Sequence, residues 1–466
     1  TPGFALQPSA EQVPLATNYI TNFDFLNQYL PDTYEKEFER YGNRTIASFL
    51  RLVGAEMPSN SDLIKWAEQG RLHTKYTNCA SGAAAAADTA TITVSDALVP
   101  GTGSIAVRVG QTVVISDNAG AGINKGIVTS VDTAAGTFDV AYYEAGGQVG
   151  GAGLTRTVFI YGSEFKKGTN GMVGSLEADD EIFDNSPIII KDKYAVSGSD
   201  MAQIGWVEVT TENGASGYLW YLKSEHETRL RFDDYLETAM IEAVPAEVGS
   251  GAIAATGDVG NKGSEGIFYV VENRGNVWGG GNPAALADFD AVISRLDKQG
   301  SIEENVIFVD RDFSFDIDDM LAAQNSYGAG GTSYGLFDND KDMALNLGFT
   351  GFRRGYDFYK SDWKYLNDPT MRGGLPTGAN SGRVNGLLVP AGSTTVYDQI
   401  LGKNAKRPFL HVRYRASETE DRRYKTWITG SAGGAATSSL DAMEVHFLSE
   451  RAVCTLGANN FFLFQE

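Results

Sequence analysis

A chain of 466 residues, 42% hydrophobic and 21% charged, has the make-up of a globular protein with room for about three domain-sized units. Its net charge of −21 argues against a nucleic-acid-binding surface spread over the whole molecule, and no apolar run approaches the ~20 residues that span a bilayer. Glycine, at 54 residues, exceeds the usual ~7% and predicts many turns between short strands.

The N-terminus, TPGFALQPSAEQVP, has neither the basic start nor the apolar core of a secretion signal. The missing initiator Met reads as routine removal or as proteolytic trimming. Residues 1–79 read as an N-terminal arm of short helices. Leu30-Pro31-Asp32-Thr33 caps a piece with Tyr34, Phe38 and Tyr41, and Ile46, Phe49, Leu50 and Leu52 form a second. Ser61-Asp62 opens a third, carrying Leu63, Ile64 and Trp66 and ended by Gly70.

Residues 80–165 change character. Strand-like runs TATITV, SIAVRVG, QTVVIS, GIVTSVD, TFDVAYYE and TRTVFIY are separated by turns rich in Gly, Asp, Asn and Ala. This spacing predicts an inserted small β-barrel, SH3-like or similar. YGSEFKKGTNGM (161–172) and an acidic stretch come next, and residues 166–216 predict an extended two-stranded segment from SPIIIKDKYAV and AQIGWVEVTT.

Tyr218 to Ala243 predicts one long helix, 26 residues without Gly or Pro, capped by Ser216 or Asn213 and ended by Val244-Pro245. At ~1.5 Å per residue it would run about 39 Å. Leu219, Leu222 and Leu230 mark its apolar face early; Phe232, Leu236, Ala239 and Met240 continue it with a drift. Asn282-Pro283 predicts a helix start and Gly300 its end, with Leu286, Phe289, Val292, Ile293 and Leu296 as the core stripe. The strand NVIFVD, a helix at FDIDDMLAAQ, the strand GLLVP and a helix around VYDQIL follow. The end of the chain returns to strands: PFLHVRYR, RYKTWIT, AMEVHFL, RAVCTL and NFFLF.

Chemical motifs fail on their surroundings. Gly331-Thr332-Ser333-Tyr334-Gly335 fits G-x-S-x-G, but the elbow needs a strand before it, a helix after it and a paired base. NSYGAG precedes it, LFDNDKD follows it, and His411 and His446 lie in no recognisable context. Asp338, Asp340 and Asp342 start like a calcium loop, yet Met343 stands where glycine is needed and Phe349 where glutamate is needed. Asp310, Asp312, Asp316, Asp318 and Asp319 read as acids entering a helix N-terminus. His73, His226, His411 and His446 lack metal-ligand spacing, and Cys79 and Cys454 suggest neither zinc nor a disulfide framework, which fits a reducing cytoplasm. Gly120-Ala121-Gly122 leads into no helix, so no phosphate loop is present. Arg353, Arg354, Lys360 and Lys364 form one positive stretch and Lys403 through Lys425 another. In the second, Glu418, Glu420 and Asp421 interleave, predicting a salt-bridged strand surface rather than a phosphate groove.

The order of parts resembles the major capsid proteins of tailed bacteriophages that have the Hong Kong 97 fold. The stretches YGSEFKKGTNGM and SERAVCTLGANNFFLF resemble capsid proteins of the crAss-like phages more particularly. The resemblance implies an α+β fold: N-terminal arm over 1–79, extended loop over 166–216, spine helix and peripheral domain over 217–281, axial domain over 282–402. Peripheral strands would return over 403–466, and the β-rich domain at 80–165 is an addition. It implies a non-enzymatic subunit without catalytic, cofactor-binding or metal residues and without a cofactor. Such a subunit would self-assemble into hexamers and pentamers of an icosahedral virion shell enclosing double-stranded DNA without sequence-specific binding. Auxiliary or cement proteins and a portal are the implied partners, no membrane is involved, and assembly would occur in the host bacterial cytoplasm. The rivals are a β-rich tail or fibre component and a serine hydrolase using Ser333. Fluorophosphonate labelling is expected to be the same for the native chain and Ser333→Ala; labelling lost in the variant would establish the hydrolase.

Overall fold

The computed structural model describes residues 55–82, 88–95, 105–120, 122–146, 155–174, 180–202, 209–210, 216–217, 220–254, 261–325, 350–378, 381–398, 403–432 and 437–466. The expected helices around 34–52, the cap candidate Asn213, Ser333 and the acids Asp338, Asp340 and Asp342 lie outside them. The chain divides into two units, residues 62–185 and residues 1–61 with 186–466.

β1 (Ala55–Ser59) precedes the first unit. That unit holds β2 (Ile64–Gln69), β3 (Lys75–Ser81), β4 (Thr89–Val94), β5 (Gln111–Asp117), β6 (Ile123–Asp132), β7 (Thr137–Tyr142), β8 (Thr155–Ser163) and β9 (Asp180–Asn185). Strands β3 to β8 close into a barrel in the order β3-β4-β7-β6-β5-β8, every pair antiparallel. Period-two alternation builds it: Ile92, Val113, Ile115, Val128, Phe138, Val140 and Val158 point inward and are at most 1% exposed. The β6–β7 turn is set by Asp132, which accepts the backbone N–H groups of Ala134 and Ala135 at 3.0 and 3.1 Å, and by Gly136 at φ 66°.

Two expectations change here. SIAVRVG is not a strand; Ile105 and Val107 fill the barrel interior from irregular backbone, and Gln111 Oε1 accepts the Arg108 N–H at 2.7 Å, turning the chain into β5. The third arm helix is absent as well. Its residues form β2, paired antiparallel with β9 from Ile64↔Asn185 to Gln69↔Asp180. Ile64 and Trp66 sit two apart and therefore share a strand face, where Trp66 meets Phe183 with ring centroids 6.3 Å apart.

The second unit continues with β10 (Ile188–Ser197), β11 (Val209–Thr210), β12 (Ser216–Gly217), α1 (Trp220–Glu242), α2 (Ile267–Arg274), β13 (Asn276–Trp278), α3 (Leu286–Gln299), β14 (Glu304–Val309) and α4 (Arg311–Asn325). Then come β15 (Gly351–Arg354), β16 (Tyr356–Asp362), β17 (Val384–Pro390), β18 (Ser393–Asp398), β19 (Lys403–Pro408), β20 (Leu410–Arg415), β21 (Lys425–Gly430), β22 (Ala442–Thr455) and β23 (Phe462–Gln465).

β22 organises one sheet. β10 runs along one of its edges, from Ile188↔Arg451 to Ser197↔Ala442; β21 and then β20 follow along the other, and β1 adds parallel to β20. The partner of SPIIIKDKYAV is thus β22, not AQIGWVEVTT, whose described part pairs with β12. The pairing has an apolar cause: it brings Val196 together with Met443, Val445 and Phe447 beneath Phe232 and Leu236 of α1. Further along the helix, Met240 and Ile241 enter a different cluster with Phe268, Leu410 and Val453, so the drift in the apolar stripe serves two cores.

The other large sheet has the order β13-β23-β17-β14-β16-β15. α3 and α4 cover one face through Phe289, Val292, Leu296, Phe313 and Ile317, packed with Ile307, Leu388 and Phe464. The opposite face gives Phe308, Leu387, Val389 and Leu463 to the cluster holding Met240. Burial on both faces explains why NVIFVD, GLLVP and NFFLF read as unbroken apolar runs.

Two helix expectations change in this unit. α3 starts at Leu286 rather than after Asn282-Pro283, because Asp288 Oδ2 accepts the Ala285 N–H at 3.1 Å. Gly300 ends it as expected, at φ 70°. The residues around VYDQIL form the β-branched strand β18, paired antiparallel with β19.

Phe232 is 0% exposed and its ring lies 5.3 Å from that of Tyr424 and 5.7 Å from that of Phe447. Phe232→Ala is expected to cost about 3–5 kcal/mol, read as a lower denaturation midpoint. In the barrel, hydrogen bonds from Ser130 and Thr91, each 2.5 Å, lower the Asp139 carboxyl below its ordinary value. A folded value below the unfolded one gives stability that is present above the unfolded pKa and lost as pH falls through the folded pKa. Asp139→Asn should therefore flatten the acid side of the barrel's melting profile below about pH 4.

Candidate functional site

The acids around α4 are occupied one by one. Asp310 Oδ1 accepts the Phe313 N–H at 2.7 Å, and its other oxygen accepts from Arg383 at 3.2 Å. Burial raises the Asp310 carboxyl above its ordinary value against those two bonds. Arg383 also lies 3.8 Å from Asp312. Asp316 accepts from Asn282 at 2.8 Å and Asp318 from Lys360 at 2.5 Å. Partners taken from different elements spread these carboxylates out. Among the described residues no group of three or more His, Cys, Asp or Glu could hold a metal ion.

The histidines do not converge. His73 and His226 are exposed, and buried His411 Nδ1 lies 3.3 Å from the Pro408 carbonyl oxygen. His446 stacks on Trp427 at 5.0 Å and shares a 2.7 Å hydrogen bond with Thr429. Cys79 lies in the barrel interior and Cys454 within β22; both are buried, and burial pushes the Cys454 thiol up to about 12. A thiol held protonated in this way is a poor nucleophile.

In the described part of the basic run, Arg415, Arg422, Arg423 and Lys425 each have an acidic neighbour. Arg422 Nε lies 2.6 Å from a Glu450 oxygen as an ion pair, and Lys425 donates to Glu420 at 2.6 Å. Arg415 lies 3.5 Å from Glu450, and Arg423 pairs with Glu56 of β1. This is the salt-bridged strand surface that the interleaved acids predict. A second charge cluster pins the end of α1. Arg372 grips Glu242 through two 2.6 Å bonds, its guanidinium lies 4.9 Å from the Phe268 ring centroid, and Tyr365 donates to the same carboxylate. Burial and then the Glu242 bond raise the Tyr365 hydroxyl above its ordinary value. These contacts fasten the end of α1.

What remains open is surface. β2 alternates covered and exposed residues, while β9 is exposed from Asp180 to Ile182 and again at Asp184, with Ile182 at 66% exposure. On the barrel, Phe159, Tyr161 and Tyr143 are 42%, 50% and 49% exposed. Sequence reasoning missed this ribbon, because Ser61-Asp62 looks like a helix cap. The period-two spacing of Ile64 and Trp66 is the signal that could have found it. No described helix is long and apolar enough to cross a membrane.

No protein-family model matches the chain, and no curated protein does. Among solved structures, the chain is similar to the capsid asymmetric unit of cyanophage A-1(L) at 9% identity, over 96% of this chain and 99% of that one, with a TM-score of 0.46. It is similar to the capsid of cyanophage P-SCSP1u at 8% identity, over 98% and 99%, with a TM-score of 0.43. A mature capsid subunit of bacteriophage PhiM1 gives 8% identity, 94% and 91% coverage and a TM-score of 0.41.

Proposed function

We propose that this chain is a non-enzymatic shell subunit, a major capsid protein of Hong Kong 97 type that builds the head of a tailed bacteriophage. The observation that carries the reading is the order and pairing of parts. An open two-stranded ribbon (β2 and β9) precedes one long helix, α1. The helix packs on the sheet centred on β22, and a separate mixed sheet follows. A ribbon of two strands is marginal by itself in water and gains stability by lying on another surface. In a shell that surface is a neighbouring subunit.

In this reading α1 is the spine, and the β2–β9 ribbon takes the place of the extended loop expected at 166–216. The closed barrel is an addition carried on that ribbon. The sheet containing β14 and β17 is axial, while the β22 sheet is peripheral. Hexamers and pentamers of such subunits would enclose double-stranded DNA, with portal and cement proteins as partners. The narrower kinship to crAss-like phages rests on YGSEFKKGTNGM and SERAVCTLGANNFFLF alone. Charge fits the task. Repulsion between copies at −21 is screened beyond ~8–10 Å at physiological salt, while extensive apolar interfaces act at contact.

Electron micrographs of the purified chain, with its mass by sedimentation, test the reading. Closed shells or capsomer-sized rings are expected. Tubes or fibres would favour the tail or fibre reading, and a lasting monomer at high concentration would overturn both.

A further inference from the structure

The outer wall of the barrel carries an ordered row across four strands. Lys75 on β3 stands opposite Phe159 on β8, Phe159 opposite Val114 on β5, and Val114 opposite Lys125 on β6. Both lysines are exposed, and they flank a half-exposed Phe159 and a Val114 that is itself buried, at 8% exposure. Three strand steps of ~4.8 Å separate their backbones by roughly 14 Å along the curved wall of the closed barrel. Two more rings border the row. Tyr161 lies two residues along β8, and Tyr143 donates its backbone N–H to the Lys125 carbonyl at 3.0 Å. The Tyr143 hydroxyl donates to Glu164 at 2.5 Å, so the carboxylate nearest these rings already has a partner.

β9 offers the complement. Asp180, Ile182 and Asp184 alternate onto one face of the strand, and all three are exposed. Four residues at ~3.4 Å place the two carboxylates roughly 14 Å apart, with Ile182 midway. The spacing of two acids along this strand thus equals the spacing of two lysines across the barrel wall. The pair of Asp184 with Lys65, at 4.0 Å between side chains more than half exposed, is weak enough to exchange. Within one copy the two surfaces leave each other uncovered, since Ile182 stays 66% exposed and Phe159 42%.

We propose that the Asp180–Ile182–Asp184 face of one copy lies across the Lys75–Phe159–Val114–Lys125 row of a second copy. Ile182 meets the apolar centre and each carboxylate meets a lysine. The occupant is a second copy because a chain at −21 repels its own kind over most of its surface. A lysine-flanked apolar row is a place where that repulsion reverses. The inference rests on the self-assembling reading and names one contact through which copies associate.

The test uses the full chain in two forms, Phe159→Cys and Ile182→Cys; the native Cys79 and Cys454 are buried. Oxidising a mixture of the two is expected to give a disulfide-linked dimer that neither variant gives alone. Independently, Lys125→Glu and Asp184→Lys should each raise the concentration needed for association by at least about tenfold, and combining them should restore it. Wild-type chains that associate without the mixed disulfide and without sensitivity to either charge reversal would overturn this contact and leave the shell reading standing. Wild-type chains that do not associate at all would overturn both.

Discussion

The second unit depends on the pairing of one 14-residue strand, β22, on both of its edges at once. Its partners start at positions 188, 410 and 425, and through β20 it also holds the chain at position 55. Apart from the β21–β22 hairpin, these contacts join segments far apart in sequence. Each closes a loop whose entropy must be offset before any of them stabilises the sheet. The apolar return is concentrated where β22 lies under α1, in Met443, Val445 and Phe447 against Phe232 and Leu236. The same strand supplies Val453 to the cluster that joins the helix end to the second sheet. α1 and β22 therefore act together as a frame, and the pair of hydrogen bonds from Arg372 to Glu242 fixes where that frame ends.

Among the described residues, much of the charge is organised in pairs around this frame. Near α4, Asp310 caps through the Phe313 N–H and Asp318 pairs with Lys360, while Arg415, Arg422 and Arg423 beside β22 are matched by Glu56, Glu420 and Glu450. Most of these pairs are at least partly exposed, so each contributes little energy. Their effect is on register: Glu56 of β1 binds Arg423, which fixes how an early segment meets a late one. A chain with a large net negative charge can thereby hold a locally neutral seam.

Legibility in the sequence followed the range of the forces involved. The barrel strands β4 to β8 could be read because inward residues alternate with outward ones and turn residues such as Asp132 and Gly136 mark the breaks. α1 could be read because Tyr218 to Ala243 contains no helix breaker. Strands buried on both faces, such as β14 and β17, stood out as apolar runs. What failed was local propensity overruled by distant pairing. Ser61-Asp62 looks like a cap, yet β9, more than a hundred residues later, claims Ile64 and Trp66. Val396 and Tyr397 looked helical until β19 paired with them. Asn282 has the chemistry of a cap but bonds Asp316 and Asn385 instead. The facing surfaces on β9 and the barrel wall were invisible for another reason: each is a spacing between residues on different strands or along one strand, which composition does not express.

The β2–β9 ribbon has a further consequence for how this chain can vary. Ile64 and Asn185 face each other across one rung of the ladder, so the first unit begins and ends within about 5 Å of itself. The loop-closure cost of the intervening chain is therefore met inside the first unit. Such a junction is a socket: what it holds can lengthen, shrink or be exchanged for an unrelated fold while its two ends stay paired.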